Sequence, residues 1–270
     1  MEGRGGAAVA GMELEATLRA RRDAGRKLLV PYVMAGLDDD WVRVVEAVVA
    51  AGADAVELGL PFSDPMIDGP VIQAASVAAL RRGVTPTGLL DEVGASRVGD
   101  HVPLVAMTYY NLVYRAGHRR MARTLAAAGV RGAILPDLPL EELGPWAEEA
   151  DLAGVATVLL VAPSTPEDRA AAICERARGF VYAVARMGVT GERAALGAEA
   201  VEVVARVRRH TDRPVLVGVG VSTPEQAVEV CRSADGVIVG SALVRRLLDG
   251  GGPEAASAFV GELRAAIDAG

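Results

Sequence analysis

Short runs of aliphatic and β-branched residues alternate along the chain with longer segments whose apolar positions recur every three or four residues. The runs are continuously apolar, which is typical of parallel strands that are covered by helices. The longer segments have the period of amphipathic helices. The pattern predicts eight strands: Leu28–Ala35, Ala55–Leu60, Pro103–Thr108, Gly132–Leu135, Ala156–Val161, Phe180–Ala185, Val215–Val219 and Gly236–Val239.

The segments between these runs predict the helices. A hydroxyl residue stands before a first-turn proline at Thr165-Pro166 and again at Thr223-Pro224, which predicts an N-cap at both places. An additional helix, Glu13–Asp23, is predicted before the first strand. The other predicted helices are Asp39–Ala51, Val71–Arg82, Arg119–Ala128, Leu140–Leu152, Pro166–Arg178, Ala198–Arg209 and Pro224–Cys231.

Eight strand–helix units in one chain predict a single (β/α)8 TIM barrel. We assign residues 12–270 to the barrel and residues 1–11 to a loose N-terminal tail. A length of 270 residues also fits two small domains, but no linker-like stretch divides the sequence. A doubly wound open sheet is the alternative fold. It would need Gly-x-Gly-x-x-Gly after its first strand, where this chain has Gly36-Leu37-Asp38.

The composition limits which binding partners and which cellular location we expect for this protein. The net charge is −7 and no run of basic residues is longer than two, so neither nucleic acid nor an anionic membrane is expected to bind. The longest apolar stretch, Leu28–Leu37, is about half of what a membrane span needs, and residues 1–12 lack the features of a secretory signal. Cys174 and Cys231 stand alone, which favours a reducing cytoplasm.

The basic residues exclude several mechanisms. Of the 28 basic side chains, 27 are arginine and the only lysine is Lys27, which precedes the first strand. Schiff-base aldolases, pyridoxal phosphate enzymes and Walker-type phosphate loops each need a positioned lysine. His101, His118 and His210 have no metal-ligand spacing. We therefore expect no metal and no cofactor, and carboxylates become the candidates for catalysis.

Two carboxylates follow or lie within the second strand. If Val56 and Leu58 face the helices, Glu57 points into the barrel, where burial would raise its pKa and keep it protonated. Asp68, on the loop that follows, is expected to stay ionised. The two would form an acid–base pair. Two alternatives remain open: an arginine could pair with Glu57, and Asp68-Gly69 could be an ordinary turn.

The ends of the seventh and eighth strands carry glycines. Gly220 and Gly240 would let backbone amides approach a ligand, and Ser241 begins a predicted helix whose dipole favours an anion. Phosphate binding by these two loops recurs in TIM barrels. Tight turns without a ligand are the alternative.

Three further segments are candidates for the mouth of the barrel. Residues 186–193 form a polar, glycine-containing loop that could close as a lid or remain a simple exposed loop. Tyr182, within the sixth strand, could belong to the core or to the site. Tyr109, Tyr110, Asn111 and Asp137, after the third and fourth strands, could line the mouth or stabilise it.

The ordered set of these segments resembles the α chains of tryptophan synthase from about Leu28 to Leu248. The most specific stretch is Glu57–Gln73, ELGLPFSDPMIDGPVIQ. Further matches are Pro136-Asp137-Leu138-Pro139, Gly188-Val189-Thr190-Gly191, Gly218-Val219-Gly220 and Gly240-Ser241.

The resemblance implies site roles for individual residues. Glu57 and Asp68 match the catalytic carboxylates of the family, and Thr190 matches a lid threonine that reaches the catalytic aspartate on closure. Tyr182 matches a tyrosine beside the substrate, and Tyr32 and Met107 match the indole pocket. The matches to the family's phosphate site are Gly191, Gly220, Gly240 and Ser241.

The implied reaction is retro-aldol cleavage of indole-3-glycerol phosphate into indole and glyceraldehyde 3-phosphate. The implied partner is a β chain, in an α2β2 heterotetramer. A stand-alone lyase that releases indole and a catalytically silent subunit that activates a β partner are the alternatives. Another phosphate-binding barrel enzyme is a rival, but the related indoleglycerol-phosphate synthase relies on lysines at strand ends. Departures from the family at Gly36-Leu37-Asp38, Ala185 and Val219 bear on pocket shape and substrate choice.

Overall fold

Eight parallel strands close into a barrel in chain order, and the eighth strand pairs with the first. The computed structural model describes residues 9–185, 193–218 and 220–270. Each predicted strand is present, with bounds that differ by two residues at most. The strands are β1 (Leu28–Met34), β2 (Val56–Gly59), β3 (Leu104–Met107), β4 (Val130–Ile134), β5 (Ala156–Val161), β6 (Val181–Val184), β7 (Val215–Gly218) and β8 (Gly236–Val239).

Helices surround the barrel, and the fold is the predicted (β/α)8 barrel with an additional N-terminal helix. No helix in the described ranges is long and apolar enough to cross a membrane. The helices are α1 (Val9–Asp23), α2 (Trp41–Ala50), α3 (Pro70–Arg81), α4 (Pro86–Ser96), α5 (Tyr110–Ala116), α6 (His118–Ala127), α7 (Gly144–Ala153), α8 (Glu167–Arg176), α9 (Arg193–Arg208), α10 (Pro224–Ser233), α11 (Ser241–Leu248) and α12 (Gly252–Ala269).

The alternation of side chains along each strand produces two apolar cores. One core lies between the strands and the helices and includes Leu29 and Val33 of β1. The other fills the barrel and includes Leu28 and Val30, the residues that alternate with them. The strands are therefore buried on both faces, which explains why their sequences are continuously apolar.

Helix α1 closes the end of the barrel where the strands begin. Leu14 and Leu18 are completely buried and belong to the core inside the barrel. Gly132 and Gly179 leave room for the helix, since a Cβ at either position would lie 2.7 Å from Leu14 Cδ2. The opposite end, where the strands finish, is left for the functional site.

Most helix predictions are confirmed, and two are wrong in detail. Thr223 caps α10, in a capping box with Gln226. Thr165 does not cap α8: its hydroxyl accepts a hydrogen bond from the Ala162 N–H instead, and Pro166 takes the N-cap position. The predicted helix Leu140–Leu152 is broken into a 3-10 turn at Leu140–Glu142 and helix α7, because a proline occupies the first turn of α7.

The start of β2 carries a buried ionic cluster that the sequence did not predict. Asp54 is fully buried, and its Oδ1 accepts hydrogen bonds from Arg21 Nη1 at 2.9 Å and Arg26 Nε at 2.7 Å. Its Oδ2 accepts from the Leu29 N–H at 2.9 Å and Arg264 Nη1 at 3.2 Å. The cluster ties α1 and α12 to the barrel on the face opposite the strand ends.

Candidate active site

Glu57, in the middle of β2, points into the barrel. Val56 and Leu58 pack in the core between strands and helices, so the condition stated for an inward Glu57 is met. The side chain is 1% exposed, and its Oε2 accepts no hydrogen bond from the described residues. No described arginine forms an ion pair with it. The alternative of a structural Glu57–arginine pair therefore finds no support among these residues.

Burial gives Glu57 the properties of a general acid. Loss of hydration disfavours the carboxylate, and the negative charge of Asp68 adds to this, so together they raise the pKa of Glu57 to about 8. The carboxyl group is consequently protonated at neutral pH. It can donate a proton to a substrate and take one back afterwards.

Asp68 lies on the loop between β2 and α3, where it is half-buried. Burial raises the pKa of its carboxyl group, and a hydrogen bond from the Tyr109 hydroxyl opposes this rise. A turn is present, since the Asp68 N–H donates to Pro65 O at 3.2 Å. The turn involves only the backbone of Asp68, so the turn and the catalytic interpretation are compatible.

Asp68, Tyr32 and Met107 line one cavity at the ends of β1 to β3, which brings together three of the predicted site residues. The cavity combines apolar surface with the carboxylate of Asp68, but its volume of about 10 Å3 would have to widen before it could admit an aromatic ring. Its complete lining is Tyr32, Met34, Leu60, Phe62, Asp68, Ser76, Met107, Thr108 and Tyr109.

Two tyrosines inside the barrel lie over glycines of neighbouring strands. A Cβ at Gly59 would lie 1.8 Å from Tyr32 Oη, and a Cβ at Gly218 would lie 2.2 Å from Tyr182 Oη. Burial raises the pKa of both phenols, and the charges of Glu57 and Asp68 raise each further. The Tyr182 hydroxyl is thus in the field of the two carboxylates, where a residue beside the substrate would be expected.

The end of β8 leads directly into a helix, as predicted. Gly240 is the N-cap of α11, and Ser241 is its first residue. The first backbone N–H groups of a helix have no partner within it, so this end can bind an anion. Gly220, after β7, has a φ of +71°, which favours glycine. At Gly240 an added Cβ would make only ordinary contact with Tyr32, so packing alone does not require glycine there.

Some predicted residues lie outside the described residues. They are Thr190 and Gly191, in the proposed lid, and Val219. Among the departures from the family that are described, Ala185 packs in the core between strands and helices. Its side chain therefore does not shape the cavity. Leu37 packs against the core between strands and helices and against a smaller cluster that includes Tyr32 and Met34.

A groove of about 1100 Å3 lies elsewhere, between α4, α6 and α7. Its lining includes Arg119, Arg120, Arg123 and Glu148, but neither Glu57 nor Asp68. The candidate active site is therefore identified by its carboxyl groups, and not by the size of its cavity. Lys27 is also remote from it: its Nζ donates to Ala234 O at 2.9 Å, at the end where the strands begin.

The segment after β3 makes two contributions to the site. The sequence named Tyr109 as a possible residue of the mouth but did not predict its contact with Asp68, and it did not single out Thr108. The Tyr109 hydroxyl donates to Asp68 Oδ2 at 3.2 Å. Thr108 is buried, and its hydroxyl has no hydrogen-bond partner among the described residues. The only available signal was their position directly after an apolar strand, which marks the catalytic end of a barrel but assigns no partner.

Fold and site together define a TIM barrel whose strand ends carry a candidate acid–base pair of carboxyl groups. Residues 18–263 match the family model described as tryptophan synthase alpha chain. The chain belongs to the tryptophan synthase alpha chain family, which makes it a lyase of tryptophan biosynthesis.

Similar proteins cover almost the whole chain. The tryptophan synthase alpha chain of Halorhodospira halophila is 50% identical over 258 residues, covering 93% of this chain and 94% of the relative. That of Streptomyces avermitilis is 46% identical over 266 residues, 96% of each chain. A solved structure of Mycobacterium tuberculosis tryptophan synthase has a TM-score of 0.86 at 42% identity, covering 94% of this chain and 97% of that chain.

Proposed function

We propose that this chain cleaves indole-3-glycerol phosphate into indole and glyceraldehyde 3-phosphate, the α reaction of tryptophan synthase. The observation that supports this proposal is the burial of Glu57. Its pKa of about 8 keeps its carboxyl group protonated at neutral pH, so it can supply a proton, and the ionisable Asp68 lies nearby. The described site offers a retro-aldol reaction no lysine amine, since Lys27 lies at the opposite end. The indole ring can itself accept the electrons of the bond that breaks.

Glu57 first donates its proton to C3 of the indole ring, which generates an indolenine cation. The resulting Glu57 carboxylate then removes the proton of the side-chain hydroxyl next to the ring. The carbon–carbon bond breaks, its electrons neutralise the C=N⁺ group, and an aldehyde is released. Glu57 ends in its protonated form, so protons and electrons balance over the cycle.

Asp68 accepts a hydrogen bond from the indole N–H and stabilises the positive charge that develops on the ring. The ring enters between Tyr32 and Met107, where the cavity of about 10 Å3 has to widen, and Tyr182 interacts electrostatically with Glu57 and Asp68. Backbone amides at the start of α11, with Gly220 and Gly191, hold the phosphate and position the side chain for cleavage. On the resemblance to the family, we assign to Thr190 the role of a lid residue that reaches Asp68.

The proposed macromolecular partner is a tryptophan synthase β chain, in an α2β2 heterotetramer in the cytoplasm. We place the docking surface on the loop that carries Asp68. Two apolar side chains of this loop are exposed, Met66 to 89% and Ile67 to 56%. Large apolar side chains exposed next to a site commonly mark an interface. A partner bound there would contact the catalytic loop and could change the position of Asp68.

One assay tests the activity and separates the alternatives. The purified chain is mixed with indole-3-glycerol phosphate, alone and with a β subunit, and indole release is followed. We expect release that requires Glu57, with Glu57→Gln retaining substrate binding and losing turnover. No release in either condition would refute the lyase and favour a silent subunit. Equal release in both would favour a stand-alone enzyme.

The proposed interface has its own test. Met66→Gln should weaken co-elution with the β subunit on a sizing column, whereas Leu152→Gln, an exposed control on α7, should not. Identical elution of the two variants in complex with the β subunit would contradict the proposed docking surface.

A further inference from the structure

The loop that carries Asp68 is fixed at three points. Near its start, the Ser76 hydroxyl of α3 donates to Phe62 O at 2.8 Å and accepts from the Phe62 N–H at 2.9 Å. Near its end, Gln73 Nε2 donates to Asp68 O at 2.8 Å. These contacts hold the backbone but leave the direction of the Asp68 carboxylate undetermined. The third point of attachment is Tyr109.

Tyr109 is rigidly placed. It is the N-cap of α5, directly after β3, and is 6% exposed. Its ring stacks on Phe62 with a centroid distance of 4.9 Å and an interplanar angle of 20°. Removing the hydroxyl alone would leave this stacking in place.

The Tyr109 hydroxyl bridges two consecutive residues of the loop. It accepts a hydrogen bond from the Ile67 N–H at 3.0 Å and donates one to Asp68 Oδ2 at 3.2 Å. A phenol has one proton, and because the hydroxyl already accepts from Ile67, that proton is directed to Asp68. Asp68 Oδ1 accepts no hydrogen bond from the residues that the structure describes.

We propose that Tyr109 is a positioning residue for the α reaction, which holds Asp68 Oδ2 so that Oδ1 faces the indole N–H. This inference rests on the proposed function, and it adds a residue that acts through Asp68. The bond leaves one oxygen free, in a fixed direction, for the charge that develops on the ring. Without it the carboxylate could rotate and would divide its time between orientations.

The same hydrogen bond adjusts the charge of Asp68. Burial raises the pKa of Asp68, and donation from Tyr109 lowers it. The other titratable groups that interact with this carboxylate are Glu57, Tyr32 and Tyr182. All three are neutral at pH 7 and do not stabilise a negative charge on Asp68. The hydrogen bond from the Tyr109 hydroxyl does favour the ionised form of Asp68.

The test compares Tyr109→Phe with Tyr114→Phe. Tyr114 is the matched control because it is a tyrosine of the adjoining helix α5 that is 67% exposed. Loss of a hydrogen bond to a charged group should lower kcat/KM of Tyr109→Phe by about 10- to 100-fold. The acidic limb of its pH profile should also move to higher pH, whereas Tyr114→Phe should keep the wild-type rate and profile.

A double-mutant cycle makes the assignment specific. In an Asp68→Asn background, Tyr109→Phe should cause much less additional loss of activity, because the hydroxyl would act through a carboxylate that is no longer present. A full additional loss in that background, or an unchanged pH profile in Tyr109→Phe alone, would overturn the positioning role.

A measurement that needs no activity separates this inference from the proposed function. In the free protein, a carbon-13 NMR titration of the Asp68 carboxyl group should give a higher pKa in Tyr109→Phe than in the wild type. If wild-type protein releases no indole, the proposed function fails while the titration still decides whether Tyr109 controls Asp68. If Tyr109→Phe does not fold, 3-fluorotyrosine at position 109, a stronger donor, should lower the Asp68 pKa, and an unchanged value would refute the inference.

Discussion

The Tyr32 hydroxyl lies directly over Gly59, so that a Cβ at position 59 would fall 1.8 Å from Tyr32 Oη and 2.3 Å from Cζ. Gly59 pairs with Met34 in the barrel sheet, so the side chain of Tyr32 leans from β1 across the end of β2. Tyr182 has the same relationship with Gly218 on β7. The glycines at these strand ends are therefore needed because tyrosines of neighbouring strands occupy the space above them.

Gly59→Ala should displace Tyr32 and distort the cavity next to Glu57. The Cζ contact is too short for the ring to remain, so we expect a loss of about 1 to 3 kcal/mol in the free energy of unfolding and a larger proportional loss of activity. Urea unfolding and indole release measure the two effects. Gly261→Ala is the control: nothing lies within 4 Å of a Cβ there, in the interior of α12, and it should stabilise by about 0.5 to 1 kcal/mol.

The pH profile of the reaction should be bell-shaped. Glu57 must be protonated to act as an acid, so activity should fall as pH rises through about 8. Asp68 must be ionised, so activity should fall on the acidic side, at a pH above the usual pKa of an aspartate. Measurement of kcat/KM against pH, which reports the groups of the free enzyme, tests both limbs. A flat profile up to pH 10 would remove Glu57 from the role of acid.

The sequence predicted the barrel because its strands are buried on both faces and its eight runs could be counted. It also predicted that Glu57 lies on the face of β2 opposite Val56 and Leu58, since strand alternation follows from backbone geometry alone, whereas the structure shows which of the two faces points inward. It could not predict that Tyr109 bonds to Asp68, because that contact joins two loops whose paths depend on the packing of Phe62. Helix α4 was missed although Thr85 caps it, because a strand–helix count needs only one helix between strands.

Replacing Glu57 should change how stability depends on pH. Between pH 4.5 and 8 the folded wild-type protein keeps the Glu57 proton that the unfolded chain releases, so its stability should fall as pH rises through this window. The loss is at most about 5 kcal/mol, from the difference between the two pKa values. Glu57→Gln lacks this loss and should become more stable than the wild type above pH 8.

Urea unfolding at pH 5, 7 and 9 measures this difference. Asp68 is present in both proteins, so its own titration affects both curves with the same sign and largely cancels in the comparison. Stabilities that run parallel from pH 5 to pH 9 would mean that Glu57 is not held protonated by its burial in the folded protein.

The buried cluster around Asp54 should be one of the most sensitive positions for stability. Asp54→Asn removes a charge that compensates Arg264, which is only 7% exposed, together with the ion pairs to Arg21 and Arg26. Arg264 keeps its ion pair with Asp268, and Arg21 and Arg26 are about a third exposed, so the loss should be that of hydrogen bonds to a buried charged group, about 1.5 to 3 kcal/mol. The exposed pair Arg232–Glu229 is the control, and Glu229→Gln should change the free energy of unfolding by less than about 0.5 kcal/mol.

Because the cluster lies at the end where the strands begin, Asp54→Asn should leave kcat unchanged in the fraction that remains folded. A loss of kcat as large as that of Glu57→Gln would show that the two ends of the barrel are coupled.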